Sequence, residues 1–406
     1  MTLVRRLPCL LWPLGLCVLL GTGGASPRGS ALAGDPARWP IALGPAAPTR
    51  AVRSLALQAQ WPLTHSGQAR FLAWGPQGSS LLYSDGGRLW VADMRSRQRQ
   101  RLTNGPVADA VFSGDGLSVL YRTVTPAGLP GSIIRVTRDG RTRRRLTGPD
   151  LQAVGARATT ATSVALADSV LRDGRIALER AGRLVALDMR RGALASLGAL
   201  TLPVVLPSMI PPAVAAIAPD GTRVAILSVT GELVVRAART GRLVRRLVSA
   251  GGERVVGAGR LPATSASWSP DGHTLVYQLG GPGGVLKAVD MTSGRTWLLL
   301  RLNVETLSGV MWSPDGATLA FAAVPTGTGV TSLSEIMVLN TDGSGLHPLD
   351  PDAARPGWAV AHRPGQIDPR WAPRGHALGY TRVTAAPHGP TLERTDVWLA
   401  TLSTAS

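Results

Sequence analysis

The chain has 406 residues, of which 43 are basic and 25 acidic, and its formal net charge is +18. Hydrophobic residues make up 44% of the sequence, which excludes an intrinsically disordered chain. The 48 glycines and 31 prolines favour many short strands joined by tight turns, and no long amphipathic helical pattern occurs.

Residues 1–33 have the features of a secretory signal peptide. Arg5 and Arg6 precede the apolar run Leu7–Leu20, and small residues follow that run. We expect cleavage after Ala25 or after Ala33, and export to the periplasm, the cell envelope or the extracellular space. An uncleaved membrane anchor is the alternative, although the run is shorter than the roughly 20 residues that a spanning helix needs.

Both cysteines lie within this predicted signal peptide, at Cys9 and Cys17. An exported chain that has lost the peptide would contain no cysteine. Disulfides, thiol catalysis and thiolate metal ligands are therefore excluded for the mature protein, and its stability has to come from the fold itself.

A five-residue phrase recurs seven times, with a large apolar residue four positions before a glycine. Its clean copies read W-S-P-D-G, and the glycines of successive copies are 38 to 59 residues apart, a spacing that fits one four-stranded propeller blade. In chain order the copies are Trp74–Gly78, Phe112–Gly116, Val170–Gly174, Ile217–Gly221, Trp268–Gly272, Trp312–Gly316 and Trp371–Gly375.

The phrase is typical of a tight turn between two strands. Proline presets φ at the second turn position, aspartate accepts a local backbone hydrogen bond, and glycine tolerates the last position. Alternating apolar segments follow the glycine, as at Leu275–Tyr277 and Leu319–Phe321, and two fourth segments end in Leu-Thr, at Leu102-Thr103 and Leu146-Thr147.

The two ends of the repeat region complement each other. The seventh repeat stops at its third strand, Asp396–Leu402, whereas residues 55–64 form an orphan segment that ends in Leu-Thr. We therefore predict an all-β fold, a seven-bladed β-propeller over residues 55–403, whose N-terminal strand completes the last blade. Six or eight blades are the alternatives, and residues 34–54 are expected to form a flexible linker.

These phrases and the strands after them resemble the PD40, or WD40-like, repeat of TolB-type propellers. The resemblance covers roughly residues 55–402 and is poorest in the third and fourth copies. It implies an extracytoplasmic propeller. TolB itself is expected to carry a separate N-terminal α/β domain, for which residues 34–54 are too short, so the resemblance extends to the repeat and not to the whole TolB protein.

Sequence motifs for catalysis or metal binding are absent. No G-x-S-x-G occurs, no histidines are spaced as in a zinc site, and the recurrent aspartates occur once per turn without calcium-loop clustering. We predict no catalytic residue, no metal and no cofactor. His362, Asp368 and Arg370 lie in one long predicted loop and form a candidate site at the mouth of the channel.

Arginines cluster in the predicted hairpins between third and fourth strands, and Lys287 is the only lysine. We predict a basic crescent over blades one to four, for which a merely solubilising rim is the alternative. The candidate anionic-partner patch consists of Arg97, Arg99, Arg101, Arg141, Arg143, Arg144, Arg145, Arg242, Arg245 and Arg246.

The resulting hypothesis is an extracytoplasmic, non-enzymatic scaffold that binds a protein, an anionic envelope polymer or a lipid surface. Nucleic acid is not expected as a partner of an exported protein, and we expect a monomer. The alternative is a propeller enzyme, lactonase-like or lyase-like, with its site at the mouth of the channel. Such an enzyme would need acidic or histidine ligands converging from several blades.

Overall fold

The computed structural model describes residues 54–126, 130–146, 151–153, 166–180, 183–201, 213–228, 230–255, 259–280, 284–302, 304–325, 334–350, 365–385 and 393–404. Within these ranges the chain is almost entirely strand and turn, with one short 3-10 helix, Leu166–Ser169. The expected signal peptide and most of the expected linker lie outside the described residues.

The first three blades are four-stranded antiparallel sheets whose strands follow chain order. Blade one contains β2 (Ala69–Trp74), β3 (Ser80–Asp85), β4 (Arg88–Asp93) and β5 (Arg99–Arg101). Blade two contains β6 (Val107–Phe112), β7 (Ser118–Val124), β8 (Pro130–Thr137) and β9 (Arg143–Arg145). Blade three contains β10 (Leu151–Ala153), β11 (Ile176–Arg180), β12 (Arg183–Leu187) and β13 (Leu194–Thr201).

Blades four to six repeat this order. Blade four contains β14 (Ala213–Ile217), β15 (Arg223–Leu227), β16 (Leu233–Ala237) and β17 (Leu243–Val248). A small hairpin, β18 (Glu253–Val255) and β19 (Gly259–Leu261), precedes blade five. Blade five contains β20 (Ala263–Trp268), β21 (Thr274–Leu279), β22 (Val285–Asp290) and β23 (Thr296–Arg301). Blade six contains β24 (Val304–Trp312), β25 (Thr318–Pro325), β26 (Glu335–Asn340) and β27 (His347–Pro348).

Blade seven joins both ends of the described chain. It contains β28 (Gly365–Trp371), β29 (Ala377–Ala385) and β30 (Glu393–Thr404), and its outermost strand is β1 (Leu55–Pro62). β1 pairs antiparallel with β30 from Leu55↔Thr404 to Pro62↔Trp398. The predicted seven-bladed propeller, closed by the N-terminal strand, is confirmed.

The hydrophobic core of the described residues is divided among the interfaces between blades. Seven clusters of buried side chains occur, and each joins two neighbouring blades around the ring. The cluster between blades seven and one packs Phe71 and Tyr83 against Val397 and Leu399. Each sheet is therefore covered on both faces, which is why its strands lack a consistent polar face.

The predicted turns carry a recurring hydrogen-bond network. In blade two the hydroxyl of Ser113 donates to the carboxylate of Asp115 over 2.6 Å, and the same carboxylate accepts the N–H of Leu117. The N–H of Ser118 closes the turn by donating to the Ser113 hydroxyl oxygen. The turns at Asp271 and Asp315 repeat this arrangement.

The strand order defines the two ends of the ring. First strands of neighbouring blades contact one another from blade four through blades five, six and seven to blades one and two, and these strands therefore line the central channel. Turns between first and second strands and hairpins between third and fourth strands lie at one end, which we call the turn face. A bond across this end, from Arg190 Nε in a blade-three hairpin to Asp115 in a blade-two turn, shows that both types of connection meet there.

Removing β1 tests whether closure holds the ring together. A chain that begins at Ser54 should unfold at the same temperature as the full chain, whereas one that begins at His65 should unfold at least about 10 °C lower. Leu55 is only 3% exposed, and losing such a side chain costs about 2–5 kcal/mol before any strand pairing is counted. Thermal unfolding followed by circular dichroism measures both chains, and equal midpoints would exclude a closing role for β1.

The turn carboxylates make stability depend on acid pH. At Asp115 the hydroxyl of Ser113 holds the pKa of the carboxyl below its usual value. At Asp271 and Asp315 burial is the largest single influence and would raise the pKa. The serine hydroxyl and backbone N–H bonds to each carboxylate, together with nearby basic side chains, outweigh burial, and the pKa is lowered. The stability that these groups add is therefore complete above their unfolded pKa of about 4 and is lost as the pH falls through their folded pKa.

The triple variant D115N/D271N/D315N should lose about 1 kcal/mol per turn at pH 7. Its difference from the parent should shrink between about pH 4 and pH 2, because the parent carboxylates become protonated there. Unfolding midpoints measured at pH 7, 4, 3 and 2 give the comparison. Two parallel curves over this range would contradict the assigned role of the three carboxylates.

Candidate functional site

The structure moves the predicted channel-mouth residues from a loop to a strand. Asp368 and Arg370 lie on β28, the first strand of blade seven, and therefore border the central channel. His362 lies outside the described residues. Asp368 and Arg370 were thus predicted in a loop near the channel, and in the structure they lie near the channel on a strand.

β28 has an irregular backbone where these residues occur. Its pairing with β29 shifts between Ile367 and Arg370, and Asp368 has a φ of 55°. Gly309 occupies the same position three residues before the turn tryptophan of blade six and has a φ of 67°. Asp368 therefore adopts a left-handed conformation that favours glycine, and such strained positions are concentrated at functional sites.

The first strand of blade three is interrupted. Among the described residues, Ala153 of β10 pairs with Leu178 of β11, whereas Ile176, two residues before Leu178, pairs with Val170. Regular pairing would place Ile176 opposite residue 155, so the strand carries an insertion. The last part of this insertion is the 3-10 helix Leu166–Ser169.

A buried charge pair on blade two holds the 3-10 helix. Arg122 donates from Nε to the carboxylate of Asp109 over 2.8 Å, and both side chains are less than a tenth exposed. The second carboxylate oxygen of Asp109 accepts the backbone N–H of Leu166 over 2.8 Å. The side chain of Leu166 is itself fully buried between blades two and three. The helix is thus fixed to the inner edge of blade two.

From this position Asp168 reaches blade seven. Its carboxylate accepts two hydrogen bonds from the guanidinium of Arg370, one of them 3.2 Å long between Nη2 and Oδ2. Blade one separates blades two and seven in the ring, so the pair must pass across the channel. Arg172 makes a second contact that skips a blade, donating from the blade-three turn to the carbonyl of Pro270 in blade five.

The electrostatics of the channel centre on Arg370, whose side chain is 17% exposed. Burial lowers the pKa of this guanidinium, but the carboxylates of Asp168, Asp368 and Asp109 outweigh burial and raise the pKa overall. Asp368 in turn pairs with Arg70 of blade one over 2.9 Å. The network joins blades one, two and seven to the helix before blade three, and Arg370 remains charged throughout.

The arginines of the predicted patch lie on outermost strands and on the turn-face hairpins next to them. Arg99 and Arg101 are on β5, Arg143, Arg144 and Arg145 form all of β9, and Arg245 and Arg246 are on β17. The hairpins before these strands supply Arg97, Arg141 and Arg242. The outermost strand of blade three, β13, contains no arginine, and the hairpin before it carries Arg190 and Arg191.

Several of these arginines tie neighbouring parts of the ring together. Arg99 donates to the carbonyl of Leu63, Arg143 to that of Leu102 over 2.5 Å, and Arg245 to that of Gly294 over 2.8 Å. Arg246 forms an ion pair with Glu232. Each outermost strand of the patch therefore uses at least one arginine to brace the structure.

Other arginines of the patch project into solvent. Arg141 is 87% exposed and lies 3.8 Å from Asp139. In the part of the chain that the structure describes, the exposed side chains of Arg97, Arg101, Arg144 and Arg242 have no ion pair with a carboxylate. These five arginines are available to an external anion.

Sequence reasoning did not identify Asp109, Arg122, Asp168 or Arg70. The available signal was an isolated charge in an otherwise apolar strand, as in V-A-D-A-V-F, and the long spacing between Gly116 and Gly174. Among the described residues, no three histidine, aspartate or glutamate side chains meet as a metal site would require. The same residues include no helix of the length and apolarity needed to cross a bilayer.

No protein-family model matches the chain, and no curated protein matches it. Similar solved structures include an oligogalacturonate lyase in complex with manganese, with 16% identity, a TM-score of 0.53, and coverage of 90% of this chain and 98% of the lyase. The β-propeller domain of Cps50 (Swd1) from Myceliophteria thermophila has 13% identity, a TM-score of 0.50, and coverage of 87% and 100%. A putative TolB from Agrobacterium tumefaciens has 19% identity, a TM-score of 0.43, and coverage of 68% and 87%. At such identities the likeness extends to the fold alone.

A double-mutant cycle tests the pair that crosses the channel. D168A and R370A should each lower the free energy of unfolding by about 1–3 kcal/mol, because each leaves a largely desolvated charge without its partner. The double variant should lose less than the sum, with a coupling of about 0.5–3 kcal/mol in chemical denaturation.

R70A is the matched control, because its ion pair with Asp368 is more exposed and should contribute about 0–1 kcal/mol. Strictly additive losses for Asp168 and Arg370 would show that the two side chains do not interact in solution.

Proposed function

We propose that this protein is an exported, non-enzymatic binding scaffold whose outer arginines hold an anionic component of the cell envelope. The observation that carries the proposal is the set of exposed arginines Arg97, Arg101, Arg141, Arg144 and Arg242 on blades one, two and four. They sit on a rigid ring, so the spacing of their backbone positions is fixed before a ligand arrives, and binding has to order only the side chains.

Blades five to seven do not share the basic character of blades one to four. On the turn face, blades five to seven carry Asp271, Asp290, Asp315 and Asp342 against Arg295 and Arg374. The excess of arginine is therefore confined to one side of the ring. An uneven field of this kind steers a polyanion to one edge, whereas an evenly charged rim would only keep the protein soluble.

The function is argued from these side chains because the propeller fold serves many purposes. The solved structures with a TM-score of at least 0.5 include both a lyase and a propeller domain of another kind. The channel network supports the scaffold function, since Asp168 and Arg370 neutralise one another and link blades. A protein partner with an acidic surface would engage the same arginines and is distinguished by the test below.

The direct test is binding to dextran sulfate, with neutral dextran as the reference. The variant R101A/R141A/R144A/R242A should bind at least about tenfold more weakly than the parent at low salt, and parental binding should fall steeply as salt is added.

The matched control R88A/R183A/R254A/R374A removes the same charge from exposed positions outside the patch and should bind nearly as well as the parent. Equal losses in the two variants would mean that only net charge matters, and the proposed patch would be wrong. No binding of the parent to the polyanion would overturn the proposal that the arginines hold an anionic envelope component, and an acidic protein would become the candidate partner.

A further inference from the structure

The turn face carries exposed apolar side chains as well as arginines. Among the described residues the exposed large hydrophobics are Trp61, Leu117, Leu194, Leu243 and Val244. Leu117 is 68% exposed and follows the turn glycine of blade two. Leu194, Leu243 and Val244 begin the outermost strands of blades three and four, directly after turn-face hairpins. Four of the five therefore lie at one end of the ring, on three consecutive blades.

These apolar residues alternate with arginines. Leu243 directly follows Arg242, and Leu194 follows a hairpin that contains Arg190 and Arg191. The ion pair between Arg190 Nε and Asp115, 3.0 Å long, brings that hairpin to the turn that presents Leu117. The result is a band along the turn face of blades two to four in which exposed apolar side chains lie among arginines and the turn carboxylates of Asp115, Asp139 and Asp188.

A mixed band fits a lipid surface better than a soluble polyanion. Arginines near an anionic bilayer are attracted by the lipid phosphates, while leucine side chains gain free energy by leaving water for the boundary of the acyl chains. A polysaccharide sulfate or carboxylate offers the charge but no apolar layer, so it would leave Leu117 and Leu243 exposed. Apolar side chains that are scattered singly over a surface need no explanation, but their gathering at one end of the ring marks a contact site.

The path of the chain points to the same end. β1 begins at Leu55, which pairs with Thr404 at the turn-face end of β30. The hydroxyl of Ser54 accepts a hydrogen bond from Asn340, which ends the third strand of blade six at that face. The segment before the ring therefore joins it at the turn face. That segment includes Leu7–Leu20, the apolar run that would lie in the bilayer if it were retained.

We propose that the turn face of blades two to four docks on an anionic membrane surface. Leu117, Leu194, Leu243 and Val244 enter the interfacial layer, and Arg141, Arg191 and Arg242 contact the lipid phosphates. This inference rests on the proposed function, since it names the anionic component that the arginines hold. It adds the apolar residues, which that function does not need.

The test is sedimentation with vesicles of phosphatidylcholine alone or mixed three to one with phosphatidylglycerol. It is run with the full chain and with the chain from Ser54 onward, which contains every strand of the ring. The parent should bind the mixed vesicles and should bind the neutral vesicles only weakly. L117S/L243S/V244S should bind mixed vesicles at least about fivefold more weakly while its binding to dextran sulfate stays unchanged.

W61S is the matched control, because Trp61 is also exposed but lies near the opposite end of β1. It should bind vesicles as the parent does, with circular dichroism confirming that both variants are folded. If the parent binds dextran sulfate but not the mixed vesicles, or if the triple serine variant binds them undiminished, membrane docking is wrong and the polyanion scaffold stands. If the parent binds neither probe, the proposed function fails as well.

Discussion

Strand pairing between β1 and β30 closes the ring, and the burial of every blade depends on that closure. Each sheet has two apolar faces, so an open row of blades would leave two faces in water. The joint is tightly packed: a Cβ added to Gly379 of blade seven would lie 2.3 Å from the Phe71 ring of blade one. Thr64 fastens the same joint by donating its hydroxyl to Asp396 and accepting the N–H of Val397. Seven blades then share one continuous set of interfaces, although no blade has a core of its own.

The W-S-P-D-G phrase also contributes to the contacts between blades. Its residues form the turn within one blade and pack against the preceding blade. A Cβ added to the turn glycine would lie 3.4–3.9 Å from the turn proline of the preceding blade at four joints, which pair Gly116 with Pro76, Gly272 with Pro219, Gly316 with Pro270 and Gly78 with Pro373. The tryptophan reaches back as well: the indole N–H of Trp74 donates to the carbonyl of Arg370, and that of Trp312 to the carbonyl of Ser267. The phrase therefore recurs along the chain because it forms the turns and the contacts between blades. Functional differences between blades have to come from other residues.

This division explains how far sequence reasoning could reach. The number of blades and the closing strand were predictable because the same local turn chemistry recurs at intervals that each fit one four-stranded blade, and because the last repeat lacks one strand. The channel network was not predictable, since Asp168 and Arg370 are 202 residues apart and meet because the 3-10 helix before blade three is fixed beside the inner edge of blade two. The arginine patch was predictable as a cluster. Which members brace the ring could not be read from the sequence, because Arg143 and Arg144 are neighbours in one strand and only the geometry gives Arg143 the carbonyl of Leu102.

The arginines of the outermost strands could serve the fold alone, without any ligand. An exposed sheet edge invites pairing with another chain, and charged side chains on short strands such as β5 and β9 prevent it. Edge protection accounts for Arg144 without any ligand. It does not account for Leu243 and Val244, which begin the outermost strand of blade four and are 41% and 39% exposed. Exposed apolar side chains make a sheet edge more prone to pair with another chain. Leu243 and Val244 therefore oppose the edge protection that Arg242 would give. The proposed docking on a membrane resolves this conflict. The bilayer would take up Leu243 and Val244 and would cover the sheet edge beside them.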